Sequence, residues 1–162
     1  MDSLENVTFD EIKIGDTCTF NKTLTESELV LFAAVSGDVN PVHLDEEFAS
    51  QSMFKERIAH GMWSGSLVSA TLATVMPGPG TIYLNQSLNF MRPVKLGDNL
   101  IVNLTAIEKN PEKKTVSFNC SVINQNEKEV LNGTALVIAP TEKIKLDKPI
   151  LPEIHIQETV HP

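Results

Sequence analysis

Gly61-Met62-Trp63-Ser64-Gly65-Ser66-Leu67-Val68-Ser69-Ala70-Thr71-Leu72-Ala73-Thr74-Val75-Met76, halted by Pro77-Gly78-Pro79-Gly80, is the stretch that decides the fold. It contains no Asp, Glu, Lys or Arg. Met62, Trp63, Leu67, Val68, Leu72, Val75 and Met76 supply apolar bulk, while Gly65, Ser66, Ser69, Ala70 and Ala73 keep another face small. No face is made for water, so the pattern predicts one helix from Gly61 to Met76 buried on nearly all sides.

Downstream of the stop the apolar period changes to two. Ile82, Leu84, Leu88 and Phe90 alternate with Tyr83, Asn85, Ser87 and Asn89. Three further runs follow the same rule: Leu100 to Ala106, Val116 to Val122, and Leu131 to Val137. The links Lys95-Leu96-Gly97-Asp98, Asn110 to Lys114 and Asn124 to Lys128 are polar and turn-like, which predicts antiparallel hairpins and a meander. Thr17 to Leu24 reads as a further strand. One uncharged helix and several two-period strands give an α+β arrangement, an antiparallel sheet wrapped around a central helix. Upstream, Thr25-Glu26-Ser27-Glu28 has the capping-box form and predicts a short helix from about Glu26 to Val35. A further helix is expected over Leu44 to Ala49. Residues 1–140 read as one domain, and 141–162, with Pro149, Pro152 and Pro162, as a C-terminal extension or linker.

The chain has 162 residues, 41 % of them hydrophobic and 21 % charged, with a net charge of −8. This length suits a single domain that buries roughly 70 % of its unfolded surface. It leaves no room for a dinucleotide domain beside a substrate domain. The negative charge argues against nucleic acid and against a basic membrane-surface role. No run reaches the length of a membrane span, and no apolar leader follows Met1, so a cytoplasmic location is expected. Cys18 and Cys120 lie far apart in sequence and read as two reduced, mostly buried thiols.

Chemistry concentrates in Val35-Ser36-Gly37-Asp38-Val39-Asn40-Pro41-Val42-His43-Leu44-Asp45. Asp38 and His43 lie five apart across a turn preset by Gly37 and Pro41, so both can face one space as a general acid/base pair. The same residues also suit a plain turn, with Asp38 and Asn40 capping backbone groups and His43 capping a helix. Ile58-Ala59-His60-Gly61-Met62 leads into the uncharged helix. A glycine at a helix start offers free N–H groups and the positive end of the dipole to a developing oxyanion. His60 reads as a capping or supporting histidine rather than a catalytic one.

Phe32, Ser36-Gly37-Asp38-Val39-Asn40-Pro41-Val42-His43 and Ala49 together resemble the signature of the MaoC-like (R)-specific enoyl-CoA hydratases, the hydratase 2 and PhaJ type enzymes of the hot-dog fold. The likeness continues through Ile58 to Met62, the uncharged helix and Gly80 to Phe90, and spans about residues 10 to 140. It implies that Asp38 and His43 hold the water that adds across the 2,3-double bond of a trans-2-enoyl-CoA, reversibly giving (R)-3-hydroxyacyl-CoA. It further implies that Gly61 N–H polarises the thioester carbonyl, that Asn40 orients the loop, and that Ser69 supports the pair. A homodimer or higher homo-oligomer is implied, with an acyl-CoA partner and no cofactor or metal beyond the CoA of the substrate. Binding that anionic group to an acidic protein calls for local cations, for which Arg57, Arg92 and Lys95 are candidates if they are not simply solvated. Met53, Phe54, Met62, Trp63 and Val68 are candidate walls of an acyl tunnel, or ordinary core.

Two other readings compete. One is an (R)-3-hydroxyacyl-ACP dehydratase, since the same pair runs the reaction backwards. The other is a non-catalytic hot-dog subunit that binds thioesters, which has no need of the intact Asp38, Asn40 and His43. A metal site built from Asp38, His43, Asp45 and His60 fits no recognised ligand spacing. Hot-dog enzymes that carry a carboxylate on the central helix are excluded, because Gly61 to Met76 has none.

Overall fold

The computed structural model describes residues 3–157. Its elements in chain order are β1 (Ser3–Glu5), β2 (Thr17–Thr23), α1 (Glu26–Ser36), α2 (Pro41–Leu44), α3 (Glu46–Gln51), α4 (Gly61–Thr74), β3 (Ile82–Phe90), β4 (Asn99–Asn110), β5 (Thr115–Ile123), β6 (Glu129–Ile138) and β7 (Lys145–Asp147). Strands β2-β4-β5-β6-β3 form one antiparallel sheet in that order, and β1 pairs with β7 separately. The alternating residues Leu100, Val102, Leu104 and Ala106 of β4, with Val116, Phe118, Cys120 and Val122 of β5, are all buried. They meet Trp63, Leu67, Val68 and Leu72 of α4 in one core cluster. The expected packing of a sheet against an uncharged helix forms, but the helix is not buried on nearly all sides: Gly61, Met62, Ser66 and Ala73 are exposed, because the sheet and core contact only one of its faces.

The strand order corrects the predicted meander at one end. β4, β5 and β6 do follow one another as hairpins, but β3 pairs with β6 and not with β4. The link at Lys95 to Asp98 binds elsewhere. Gly97 N–H donates to the Leu24 carbonyl at 2.9 Å, and Ile58 bridges to Lys95. The polarity of a turn shows that the chain reverses, not which neighbour the returning strand takes. The expected helix at Leu44 to Ala49 divides into α2 and α3. Asp45 lies between them and caps α3, accepting from Phe48 N–H at 2.9 Å. An aspartate that bonds forward to the backbone starts a new helix rather than continuing the old one.

The extension that begins at Thr141 packs back on the start of the chain. Asn6 Nδ2 donates to the Glu142 carbonyl at 2.9 Å, Ile144 N–H donates to Asn6 Oδ1 at 3.0 Å, and β7 then pairs with β1. The packed unit extends at least to Asp147, and residues 148–157 carry no helix or strand.

Two expected outcomes follow from this packing. A Cβ on Gly133 would lie 1.8 Å from the Ser87 carbonyl oxygen, because β3 crosses directly over it. Gly133→Ala should lower stability in denaturant unfolding by about 3 kcal/mol or more, as overpacking against rigid backbone does. Burial pushes the Cys18 thiol up to about 11. Only about one molecule in a thousand then carries the reactive thiolate at pH 8, so Cys18 in the native protein should alkylate far more slowly than after unfolding.

Candidate active site

The loop between α1 and α2 is built from short polar bonds in series. Gly37 ends α1 in a left-handed turn, with φ 78°, which its lack of a side chain permits. Ser36 Oγ donates to the Phe32 carbonyl at 2.7 Å and accepts from Asp38 N–H at 3.2 Å. Asp38 Oδ1 accepts from Asn40 N–H at 3.1 Å, and Asn40 Oδ1 accepts from Val42 N–H at 3.2 Å. Asn40 is thus the cap of α2, and Pro41 takes its first position. His43 follows within this one-turn helix and does not cap a helix after it, as the turn reading had it.

Both readings of the loop are realised in one residue. The Asp38 oxygen Oδ1 fixes the turn, while Oδ2 lies 3.8 Å from His43 Nε2. That separation is too long for a direct hydrogen bond and suits one water bonded to both. The His43 side chain is only 10 % exposed and that of Asp38 is 50 % exposed, so the pair stands at the wall of an opening. The His43 proton is placed by its other nitrogen. Nδ1 lies 2.7 Å from the Ile58 carbonyl, which can only accept, so Nδ1 carries hydrogen. In the neutral ring Nε2 is then bare and faces Asp38 as a base.

Gly61 opens α4 on the opposite side. No side chain caps this helix start, and the first amide bonded back to His60 is that of Trp63, at 3.0 Å. A Cβ on Gly61 would lie 2.9 Å from the Phe90 ring, so a side chain here would displace the ring or enter the cleft. Asp38, His43, His60, Gly61, Met62 and Phe90 all border one opening of ≈ 440 Å³. His60 stacks on His43, with ring centroids 3.8 Å apart and planes 26° from parallel. Rings stacked this way hold their in-plane lone pairs side by side. With Asp38 they form a cluster of three possible metal ligands whose donor atoms lie within 4.8 Å of one another.

Two cavities flank the opening. One of ≈ 290 Å³ shares His60, Gly61 and Phe90 with it and adds Phe54 and Arg92. The other, of ≈ 420 Å³, shares Phe32 and Met62 and adds Ser69, Tyr83 and Gln86. In the latter, burial pushes the Tyr83 phenol up to about 12, and its hydroxyl donates to Gln86 Oε1.

The nominated residues therefore separate. Asp38, His43 and Gly61 come together, and Asn40 holds their loop. Ser69 lines the adjoining ≈ 420 Å³ cavity and not the opening itself, two turns along α4 from Gly61. Arg57 bonds Glu26 and Glu46, bracing α1 against α3, and its charge is already matched. Lys95 pairs with Glu56. Arg92 donates to the Glu129 carbonyl at 2.7 Å and, among the described residues, forms no ion pair. Met62 and Phe54 line cavities, whereas Met53 is 85 % exposed and lines none of these three. Trp63 and Val68 are core. Phe90, a contact made across the fold, gave no local signal in the sequence. The cap suggested for His60 does not form; its Nε2 reaches Asp38 instead.

Known proteins resemble this chain in sequence and in fold. The MaoC like domain family matches residues 11–128. An (R)-specific enoyl-CoA hydratase of Rhodospirillum rubrum is 46 % identical over 134 residues, covering 82 % of this chain and 91 % of that protein. A 3-hydroxybutyryl-CoA dehydratase of Methylorubrum extorquens is 39 % identical over 135 residues, covering 83 % of this chain and 85 % of that protein. The solved structure of the R-hydratase PhaJ1 from Pseudomonas aeruginosa in the unliganded form superposes with a TM-score of 0.93 at 50 % identity. It covers 96 % of this chain and 100 % of its own. Matched over most of its length in sequence and nearly all of it in structure, the chain belongs to the MaoC-like family.

Proposed function

We propose that this protein is an (R)-specific 2-enoyl-CoA hydratase, a hydro-lyase that adds water to a trans-2-enoyl-CoA and reverses the reaction on (R)-3-hydroxyacyl-CoA. The observation that carries this reading is the 3.8 Å gap between Asp38 Oδ2 and His43 Nε2, open to the same cleft as the uncapped Gly61 amide. A water held in that gap gives one proton to the pair as its oxygen bonds to C3. Negative charge passes through C2 to the thioester oxygen, where Gly61 N–H stabilises it more in the transition state than in the substrate. C2 then takes a proton from the pair. Both additions come from the face on which the pair stands, so the addition is syn.

The thioester carbonyl already activates C3, so the chemistry asks for no redox or metal cofactor, and CoA enters as part of the substrate. The intact pair argues against a subunit that only binds thioesters. Arg92 is the cation best placed for the CoA arm, at the cavity beyond Gly61 and without an opposing carboxylate among the described residues. A homodimer completes the reading. β3 is a sheet edge, and Ile82, Leu84, Phe90 and the adjoining Met91 are large exposed apolar residues on or beside it. A cytoplasmic site of action suits the two free cysteines. No helix among the described residues is long and apolar enough to cross a membrane.

Purified protein should hydrate crotonyl-CoA to the (R)-alcohol, as judged by loss of enoyl absorbance and chiral chromatography. Asp38→Asn and His43→Gln should each lower kcat by about 10²- to 10⁴-fold, the range for a positioned acid or base. In Asp38→Asn the side-chain carbonyl oxygen would still accept from the Asn40 amide, so that variant should keep its melting temperature. Full activity in either variant, or an (S) product, overturns the assignment. Sedimentation should give twice the 17.8 kDa chain mass; a monomer would refute the dimer.

A further inference from the structure

His60 has no part in the reaction as drawn, yet it stands where the reacting groups meet. It is 3 % exposed. Its Nε2 lies 2.8 Å from the Asp38 backbone carbonyl, which only accepts, so the hydrogen is on Nε2 and the neutral ring has a bare Nδ1. Among the described residues, that Nδ1 is buried without a hydrogen-bond partner. One face of the ring packs on His43, and Phe32 lies tilted against it at 5.0 Å between centroids. A phenylalanine would fill this space with no orphaned nitrogen. It could not hold the Asp38 carbonyl.

The surrounding segment shows what that bond does. Ile58 offers its carbonyl to His43 Nδ1, His60 bonds the Asp38 backbone, and Gly61 borders the cleft at the uncapped start of α4. Four consecutive residues thus hold the base, the carboxylate-bearing loop and the oxyanion donor. The segment is itself anchored where Ala59 N–H donates to the Val94 carbonyl at 2.7 Å. We propose that His60 is a positioning residue, which sets the spacing of Asp38 and His43 relative to Gly61 N–H through one hydrogen bond and one ring face. The proposal rests on the hydratase reading and adds to it a residue that touches no reacting atom.

The test compares the wild type, Asp38→Asn, His60→Phe and His60→Gln in steady state on crotonyl-CoA, with a melting temperature for each. His60→Phe keeps a ring and loses the donor; His60→Gln keeps a donor and loses the ring. Each should lose about 10- to 100-fold in kcat, the cost of a misplacement near 1 Å. KM should change by no more than about threefold, because substrate-binding contacts remain. A merely structural role would lower the melting temperature and leave kcat intact. Folded His60→Phe and His60→Gln with wild-type kcat therefore overturn the proposal, and if one fails to fold the other decides. Nitrogen NMR of the wild-type imidazoles is a check that needs no variant: His60 should carry its hydrogen on Nε2, and the opposite tautomer refutes the bond. A wild type no faster than Asp38→Asn would sink the hydratase reading, and the proposal with it, whereas a fast wild type with fast His60 variants sinks the proposal alone.

Discussion

Helix α4 has no charged side chain, and the rest of the molecule is arranged around the need to cover it. Three strands, β4 to β6, lay alternating apolar residues against it, and β2 and β3 close the two flanks. The core takes only one side of the helix, and its beginning stays open: Gly61 and Met62 are exposed. A helix start carries amides that the helix cannot satisfy, and among the described residues no side chain caps those of α4. That start is a fixed patch of positive potential beside the cleft. The same uncharged helix thus anchors the core with one face and borders the cleft with its first turn.

The groups opposite the helix start owe their position to a loop that holds itself. Asp38 divides its two oxygens between a turn bond and the cleft, so one side chain shapes the backbone and also presents a carboxylate. Asn40 and Pro41 then begin a helix only one turn long, just enough to aim His43 inward. A longer helix would carry the chain away from α4. The break at Asp45 is accordingly part of the site's geometry, because it lets α3 leave in a new direction while α2 stays against the cleft.

The sequence reports these features unevenly. The uncharged run, the period-two strands and the capping box of α1 are local patterns, and most are bounded to within a residue or two; β4 runs four residues past Ala106, to Asn110. The Asp38 to His43 loop is also local, which is why its two residues can be named together without a structure. Long-range facts are illegible in this way. Nothing in Ile82 to Phe90 says that the strand crosses to β6, and the one residue that makes room for the crossing, Gly133, lies in a different strand. Ser69 shows the same limit within a helix, since its sequence position does not tell which of two adjoining cavities it lines. His60 was legible as a supporting residue, but its partner was not, because the bond to the Asp38 backbone spans 22 positions in the chain.

Charge gives the last constraint. A net charge of −8 repels an anionic ligand at long range, and salt screens that repulsion beyond about 10 Å. Attraction must then come from cations close to the ligand and not already matched. Sequence alone treats Arg57, Arg92 and Lys95 alike. The fold separates them, because Arg57 holds two helices together through Glu26 and Glu46, and Lys95 meets Glu56. Glu26 is held below the usual carboxylate range by its bonds to Arg57. Arg92 instead bonds a neutral carbonyl at the cavity that Gly61 also lines, and no carboxylate among the described residues pairs with it. On an acidic protein, an arginine left unmatched there is where attraction for an anion would act, next to the helix start that the apolar core leaves open.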